Sequence, residues 1–243
     1  MPVGQCGLVL GKAMAVSQIP GFADGLVSVQ DAAAQLAAPL LLGSPQAHGA
    51  AVTRLRVLDA CAAPGGKTAH LLELSDAHVT ALDIDPARCV RIEQTLQRLG
   101  LQARIITADA GKPEQWWDVT LFDAILLDAP CTASGIVRRH PDIRWLRRET
   151  DVAQLAEIQR NLLNTLWKLV KPGGRLLYCT CSVFKAEGAD QVQTFLAHHT
   201  DALLLPSPGH LMPRFAANPE GVPDNSPDDH DGFFLALLEK RAA

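Results

Sequence analysis

Arg56-Val57-Leu58-Asp59-Ala60-Cys61-Ala62-Ala63-Pro64-Gly65-Gly66-Lys67-Thr68 is the stretch on which the fold turns. A short apolar run ends in an acid and reads as a buried strand, and the glycine pair behind it opens a helix. Glycines at such a turn let backbone amides approach a ligand without interference from Cβ. The same alternation recurs downstream. Strands are predicted at Val79–Asp83, Arg104–Thr107, Phe122–Leu127 and Arg175–Tyr178, with helices near 67–74, 86–99, 149–170 and 187–198. Gly100 supplies one stop signal; Lys171-Pro172-Gly173-Gly174 is expected to turn a helix into a strand. Alternation of this kind means an α/β protein with a doubly wound sheet.

Further out, residues 1–27 are rich in Gly, Pro and Ala and read as a lead-in segment, with Ser28 as the N-cap of a helix entering Val29-Gln30-Asp31-Ala32. The stretch Pro206–Gly232 carries six prolines and several aspartates and reads as a long irregular loop before a last strand, Phe233–Leu238. With 243 residues, 48% of them hydrophobic and 20% charged, the chain can bury one sizeable core, so residues 28–243 are read as a single domain. A net charge of -4 excludes a protein that coats nucleic acid non-specifically, while a local basic patch stays compatible with a polyanion. The six cysteines (Cys6, Cys61, Cys89, Cys131, Cys179, Cys181) are spread along a chain with no basic-then-apolar leader, which predicts reduced thiols and a cytoplasmic location. The apolar run from Leu36 to Leu42 is broken by Pro39 and falls far short of the roughly 20 residues of a membrane helix, so no span is expected.

Three nucleotide motifs compete for the glycine turn. A Walker A loop requires glycine where Cys61 stands, and the dinucleotide fingerprint G-x-G-x-x-G is absent. The reading that remains is the first loop of an S-adenosylmethionine methyltransferase. Acids at the ends of the next strands support it: Asp83, 24 residues beyond Asp59, near the distance at which a ribose diol is held, and Asp109 in Thr107-Ala108-Asp109-Ala110, placed for the adenine amino group. Single acids at strand ends also serve as helix N-caps. Asp85-Pro86 makes Asp85 the better cap, with proline at the first helical position, and leaves Asp83 for ligand.

Two cysteines close apolar runs: Cys131 in Leu127-Asp128-Ala129-Pro130-Cys131 and Cys181 in Tyr178-Cys179-Thr180-Cys181-Ser182. At the carboxyl ends of parallel strands such thiols face a ligand crevice. They are equally small hydrophobes suited to a core, and Cys179-x-Cys181 has the spacing of half a metal site. A zinc site needs further ligands, and His198-His199 falls on an amphipathic helix, so no metal is assigned. Period-2 alternation puts Cys179 and Cys181 on one face with Leu177, where Cys179 packs; Cys89 is read as structural.

Asp-Ala-Cys-Ala-Ala-Pro-Gly-Gly-Lys-Thr at 59–68, Asp-Ala-Pro-Cys at 128–131 and Thr-Cys-Ser at 180–182 together resemble the Nop/Sun-type RNA cytosine-C5 methyltransferases. The likeness extends to Gly25–Ala32 and Asp231-Gly232-Phe233-Phe234, and Ile136–Arg148 reads like the bacterial Sun branch. The resemblance implies a Rossmann-like, mostly parallel seven-stranded sheet with an antiparallel strand. It also implies S-adenosyl-L-methionine as cofactor and RNA as partner, small-subunit ribosomal RNA first and tRNA as the alternative, for a monomer. It makes Cys181 the attacking nucleophile and Cys131 the group that assists release. Asp128 serves both the cofactor and the cytosine edge, and Cys61, Ala62, Ala63, Pro64, Gly65, Gly66, Lys67, Asp83 and Asp109 hold the cofactor. The chemistry requires a thiolate for a reason of its own: cytosine C5 is a poor nucleophile until a thiolate adds at C6 and makes the ring enamine-like. A neighbouring cation lowers a thiol's pKa, and Lys67 is the candidate.

Arg138, Arg139, Arg144, Arg147 and Arg148 surround Trp145 just beyond Cys131, placed to grip phosphates and stack a base, or equally to form a solvated face. The family carries a helical RNA-binding domain ahead of its catalytic domain, and that domain is not seen in this sequence. Two other classes remain: a truncated cofactor-binding module that needs a partner, and a purine-nucleotide hydrolase using Gly-Gly-Lys-Thr.

Overall fold

In a computed structural model, residues 2–3, 7–12, 14–43, 54–213 and 230–242 are described. Side chains alternate along every central strand and so divide the interior in two. On β7 (Val170–Thr180), Leu176 and Tyr178 join one core cluster with helices α5 (Glu149–Trp167) and α6 (Ala189–His198), while Leu177 and Cys179 join the other with α1 (Ala37–Leu42) and α2 (Gly66–Leu74). A third cluster seats α3 (Pro86–Arg98) beside α2 through Ile92, Leu96 and Ala69.

The remaining strands are β3 (Arg56–Ala60), β4 (His78–Asp83), β5 (Arg104–Thr107), β6 (Phe122–Asp128), β8 (Ala202–Leu204), β9 (Gly209–Leu211) and β10 (Phe233–Lys240), apart from a small antiparallel pair, β1 (Pro2–Val3) and β2 (Gly7–Leu8). The order in the main sheet is β5-β4-β3-β6-β7-β10-β8. The first five strands are mutually parallel, and β10 runs antiparallel to both β7 and β8. This is the mostly parallel, Rossmann-like sheet expected from the sequence, with its single reversed strand, but with eight strands rather than seven, because β9 also pairs with β10. The direction of the sheet reverses its winding between β3 and β6, where the crevice of such a fold opens.

The structure corrects three boundaries. No helix starts at Ser28: helical residues begin at Ala34 and α1 at Ala37, because the side chain of Asp31, not Ser28, takes the Ala33 N–H (2.9 Å) and starts the turn. Lys171-Pro172-Gly173-Gly174 does not stop the helix, which ends at Trp167; it is an irregular stretch inside β7, where the register jumps from Phe122↔Val170 to Ala124↔Arg175. A Cβ at Gly174 would stand 2.8 Å from the Asp123 carbonyl oxygen, so the backbone crosses there only as glycine. Finally, the loop Pro206–Gly232 contains β9, which extends the edge of the sheet by pairing Leu211 with Phe233; β8, just before it, is also a strand the sequence reading lacks. Residues 214–229 and Cys6 lie outside the described residues. Among the described residues, no helix is long and apolar enough to cross a membrane.

Candidate active site

The glycine turn closes over the end of β3. Cys61 (φ 63°) and Gly65 (φ 99°) both take left-handed backbone conformations, and Gly65 N-caps α2. A Cβ on Gly65 would press within 3.1 Å of the Ile92 backbone, whereas Gly66 faces open space. Helix α3 pins the loop from outside: Arg88 donates to the Ala63 carbonyl (3.2 Å) and Thr95 to the Pro64 carbonyl (2.8 Å). Beneath it Asp59 is fully buried, accepting from Thr68 Oγ1 (2.6 Å) through one oxygen while the other has no partner. Burial, with Asp128 and Asp83 adding negative charge nearby, pushes its pKa up to about 7 against the pull of Thr68 and Lys67. That orphaned buried oxygen, the open face at Gly66 and the left-handed turn together fit a polar ligand carrying a donor, as S-adenosylmethionine does with its amino group.

Asp85 caps α3 through Ala87 N–H (2.8 Å), as its place before Pro86 predicts. Asp83 is not the free carboxylate expected from the sequence. It is buried, its oxygens accept from the Ala63 and Asp85 amides (3.2 Å each), and Arg88 stands 3.4 Å away. Asp109 closes its own turn onto the Gly111 amide (2.9 Å), with Lys112 at 3.7 Å, and keeps a partly exposed carboxylate. Cys61 lies inward against the core, and burial drives its thiol far above the ordinary range, so only its backbone is offered to a ligand. Cys89 is buried in α3, donating to the Asp83 carbonyl at 3.6 Å.

Adjacent parallel strands bring the distant motifs together. Asp128 ends β6 opposite Cys179 of β7, and Lys67, in the first turn of α2, reaches across to pair with Asp128 at 2.7 Å. Cys179 is fully buried, donates weakly to Asp128 (3.6 Å) and packs among Leu177 and Leu235, so it belongs to the core rather than to a metal pair. One residue past β7, Cys181 meets Cys131 with a sulfur–sulfur separation of 3.4 Å. The two sulfurs share one hydrogen bond for which both thiols are possible donors. That bond, together with burial, carries the pKa of Cys131 well above the ordinary thiol range. The same bond lowers the pKa of Cys181, aided by Lys67 and opposed by burial and Asp128. A thiol of lowered pKa and a thiol of raised pKa thus stand side by side, an arrangement that fits covalent catalysis.

Sequence reasoning missed two acids here. Glu187, in a short turn after Cys181, is wholly buried and accepts from Thr132 and Ser182, the residues that follow the two cysteines. Asp231, also buried, accepts from Arg139 Nε (2.8 Å) through its carboxylate, and its backbone N–H donates to the carboxylate of Asp31, 200 residues earlier in the chain (3.0 Å). Their signal in the sequence was only proximity to the Thr-Cys-Ser and Asp-Gly-Phe-Phe stretches. The arginine cluster divides accordingly. Arg139 holds Asp231, with Arg138 3.9 Å from the same acid, and Arg147 holds the Thr132 carbonyl (2.9 Å), whereas Arg144 and Trp145 stand exposed on α4 (Ile143–Leu146).

A profile described as "16S rRNA methyltransferase RsmB/F" matches residues 50–239, the span that carries every one of these motifs. The chain belongs to that family. It is 49% identical to the ribosomal RNA small subunit methyltransferase B of Vibrio cholerae over 93% of this chain and 49% of the relative. The corresponding protein of Serratia proteamaculans is 47% identical over 93% of this chain and 50% of its own length. The chain therefore spans about half the length of these curated relatives. Among solved structures, NSun6 from Pyrococcus horikoshii with SFG superposes with a TM-score of 0.74 at 26% identity, covering 95% of this chain and 57% of that one. A methyltransferase homologue from the same organism gives 0.72 at 30% identity, covering 94% and 73%. The Sun-branch likeness read from Ile136–Arg148 is thus shown over 93% of this chain.

Proposed function

We propose that this chain is the catalytic unit of an S-adenosylmethionine-dependent RNA cytosine-C5 methyltransferase that acts on small-subunit ribosomal RNA. The observation that carries the reading is the 3.4 Å contact between Cys131 and a Cys181 of lowered pKa, beside the Lys67–Asp128 ion pair. The family match and the printed names of the relatives support the substrate. Cys61 to Lys67, Asp83, Asp109 and Asp128 would hold the cofactor, which supplies, when bound, an electrophilic methyl group on a sulfonium.

The chain's own residues do the rest. The Cys181 thiolate adds to C6 of a flipped-out cytosine, forming an S–C6 bond and directing electron density to C5; Asp128 meets the polar edge of the base, where protonation at N3 favours that addition. Once Cys181 is engaged in this bond, the thiolate that held Cys131 protonated is gone; Cys131 gives its proton to solvent, and the resulting thiolate takes the C5 proton once C5 carries the methyl group. The C5–H electrons then restore the C5–C6 double bond, the S–C6 bond breaks, and Cys181 leaves as a thiolate. Exposed Arg144 and Trp145 beside this site suit a phosphate and an unpaired base. The unit is proposed to act as a monomer. The unit is 28–243, with 1–27 as a lead-in whose Phe22 and Val27 carbonyls accept from Arg98 (2.7 and 3.0 Å). A ribosomal RNA substrate supports a cytoplasmic location.

The test uses the full chain, S-adenosylmethionine and naked 16S ribosomal RNA, with tRNA in parallel. Cys181→Ala is expected to abolish methyl transfer, and Cys131→Ala to leave an RNA adduct that survives a denaturing gel. Adduct formation by Cys181→Ala overturns the assignment of roles, and methylation of tRNA alone overturns the substrate.

A further inference from the structure

Glu187 has no place in the chemistry above, yet its carboxylate is wholly buried and takes four hydrogen bonds, all from neutral donors. One oxygen accepts from the Thr132 amide (2.9 Å) and Gln159 Nε2 (3.0 Å), the other from Thr132 Oγ1 (2.5 Å) and Ser182 Oγ (2.6 Å). Thr132 follows Cys131 directly and Ser182 follows Cys181. One rigid group therefore grips both catalytic loops at the residue next to each thiol. Its own backbone is fixed to β7, since the Glu187 carbonyl accepts from Tyr178 OH (2.8 Å), and Gln159 extends the grip to the Pro130 carbonyl (2.9 Å) on the other side of Cys131. Burying a charge among neutral donors is costly, and well-packed apolar groups stabilise a fold at least as well, so stability alone gives this arrangement little reason.

We propose that Glu187 is a positioning residue that sets the Cys131–Cys181 contact, and through it the ionisation of the nucleophile and the hand-over from attack to release. The proposal rests on the roles given above to the two cysteines, but it can be read without RNA. The probe is iodoacetamide, applied to the full chain across pH, with alkylation of Cys181 followed by peptide mass. In Glu187→Ala the two loops lose their common anchor, Cys131 drifts out of contact, and the alkylation midpoint moves up, slowing the reaction at neutral pH by about tenfold. With RNA, kcat falls by about 100-fold, as expected for a misplacement near 1 Å, while the KM for S-adenosylmethionine stays within about twofold. Glu187→Gln restores the wild-type profile, because its amide oxygen can accept from the Thr132 and Gln159 N–H groups while its NH2 donates to the two hydroxyls turned round to accept.

An unchanged alkylation profile in Glu187→Ala overturns the proposal. If that variant does not fold, Thr132→Val and Ser182→Ala take its place. Each should raise the midpoint, and the double variant should do no more than the stronger single one, since both act through one anchor; simple addition of two small effects overturns it. A wild-type chain that fails to methylate RNA refutes the functional reading and leaves the alkylation result standing.

Discussion

Gly135 lies where the loop after Cys131 crosses the segment leading into β10, and an alanine there tests whether this crossing holds the nucleophile. Its Cβ would fall 2.0 Å from the Gly232 carbonyl oxygen and 2.6 Å from the carbonyl carbon. Carbon–oxygen contacts sit near about 3.3 Å, so the two backbones must part by about 1.3 Å. That breaks two bonds at once: Gly232 N–H to the Gly135 carbonyl and Gly135 N–H to the Cys181 carbonyl, both 2.9 Å. At about 1 kcal/mol for each bond and about 1–3 kcal/mol for overpacking, Gly135→Ala costs about 3–5 kcal/mol. For a chain of this size, that lowers Tm by about 10 °C. Because the Cys181 carbonyl is one of the displaced partners, the nucleophile shifts with it, and single-turnover methyl transfer should fall by about 100-fold. Gly66→Ala, whose Cβ meets nothing within 4 Å, is the stability control and should leave Tm unchanged. A Gly135→Ala protein with the Tm and single-turnover rate of the wild type would refute the reasoning.

Two further predictions concern charge. Asp59 has a folded pKa of about 7, above its unfolded value of 3.8. The unfolded chain therefore binds fewer protons between those limits, so this group's contribution to stability is full below about pH 4 and is lost as pH rises through 7, at most about 4 kcal/mol. Asp59→Asn should flatten that loss, gaining stability over the wild type at pH 8 but not at pH 4 in urea unfolding; parallel pH profiles of the two proteins would sink the idea. Lys67→Met removes the partner of Asp128 from a pair whose side chains are mostly covered. It should cost about 3 kcal/mol and raise the midpoint for alkylation of Cys181, because a cation that favours its thiolate is gone. An unshifted midpoint means that Lys67 does not act on the thiol.

Much of the fold was legible because strand and helix periods are local. Asp59, Asp83 and Asp128 stand at or beside the ends of β3, β4 and β6 as their apolar runs predict. The glycine turn announced itself through residues that tolerate left-handed backbone, and Cys131 and Cys181 through their places after apolar runs. Boundaries differ where a side chain or a neighbouring strand outbids local signals: Asp31 rather than Ser28 starts the first turn, and pairing of Val170 and Arg175 with β6 on either side holds the irregular Lys171–Gly174 stretch within β7.

What no local pattern carries is the contact across strands. The pairing of β6 with β7 brings two thiols fifty residues apart within 3.4 Å of each other and so couples their ionisation. The glycine turn folded over β4 makes Asp83 a buried, bonded carboxylate, and loop packing makes Glu187 and Asp231 anchors around the site. Hydrophobic spacing along the chain is enough to choose a sheet, since burial depends on one residue at a time. The ionisation and aim of a catalytic group depend on its neighbours in space, and these exist only once the strands have paired.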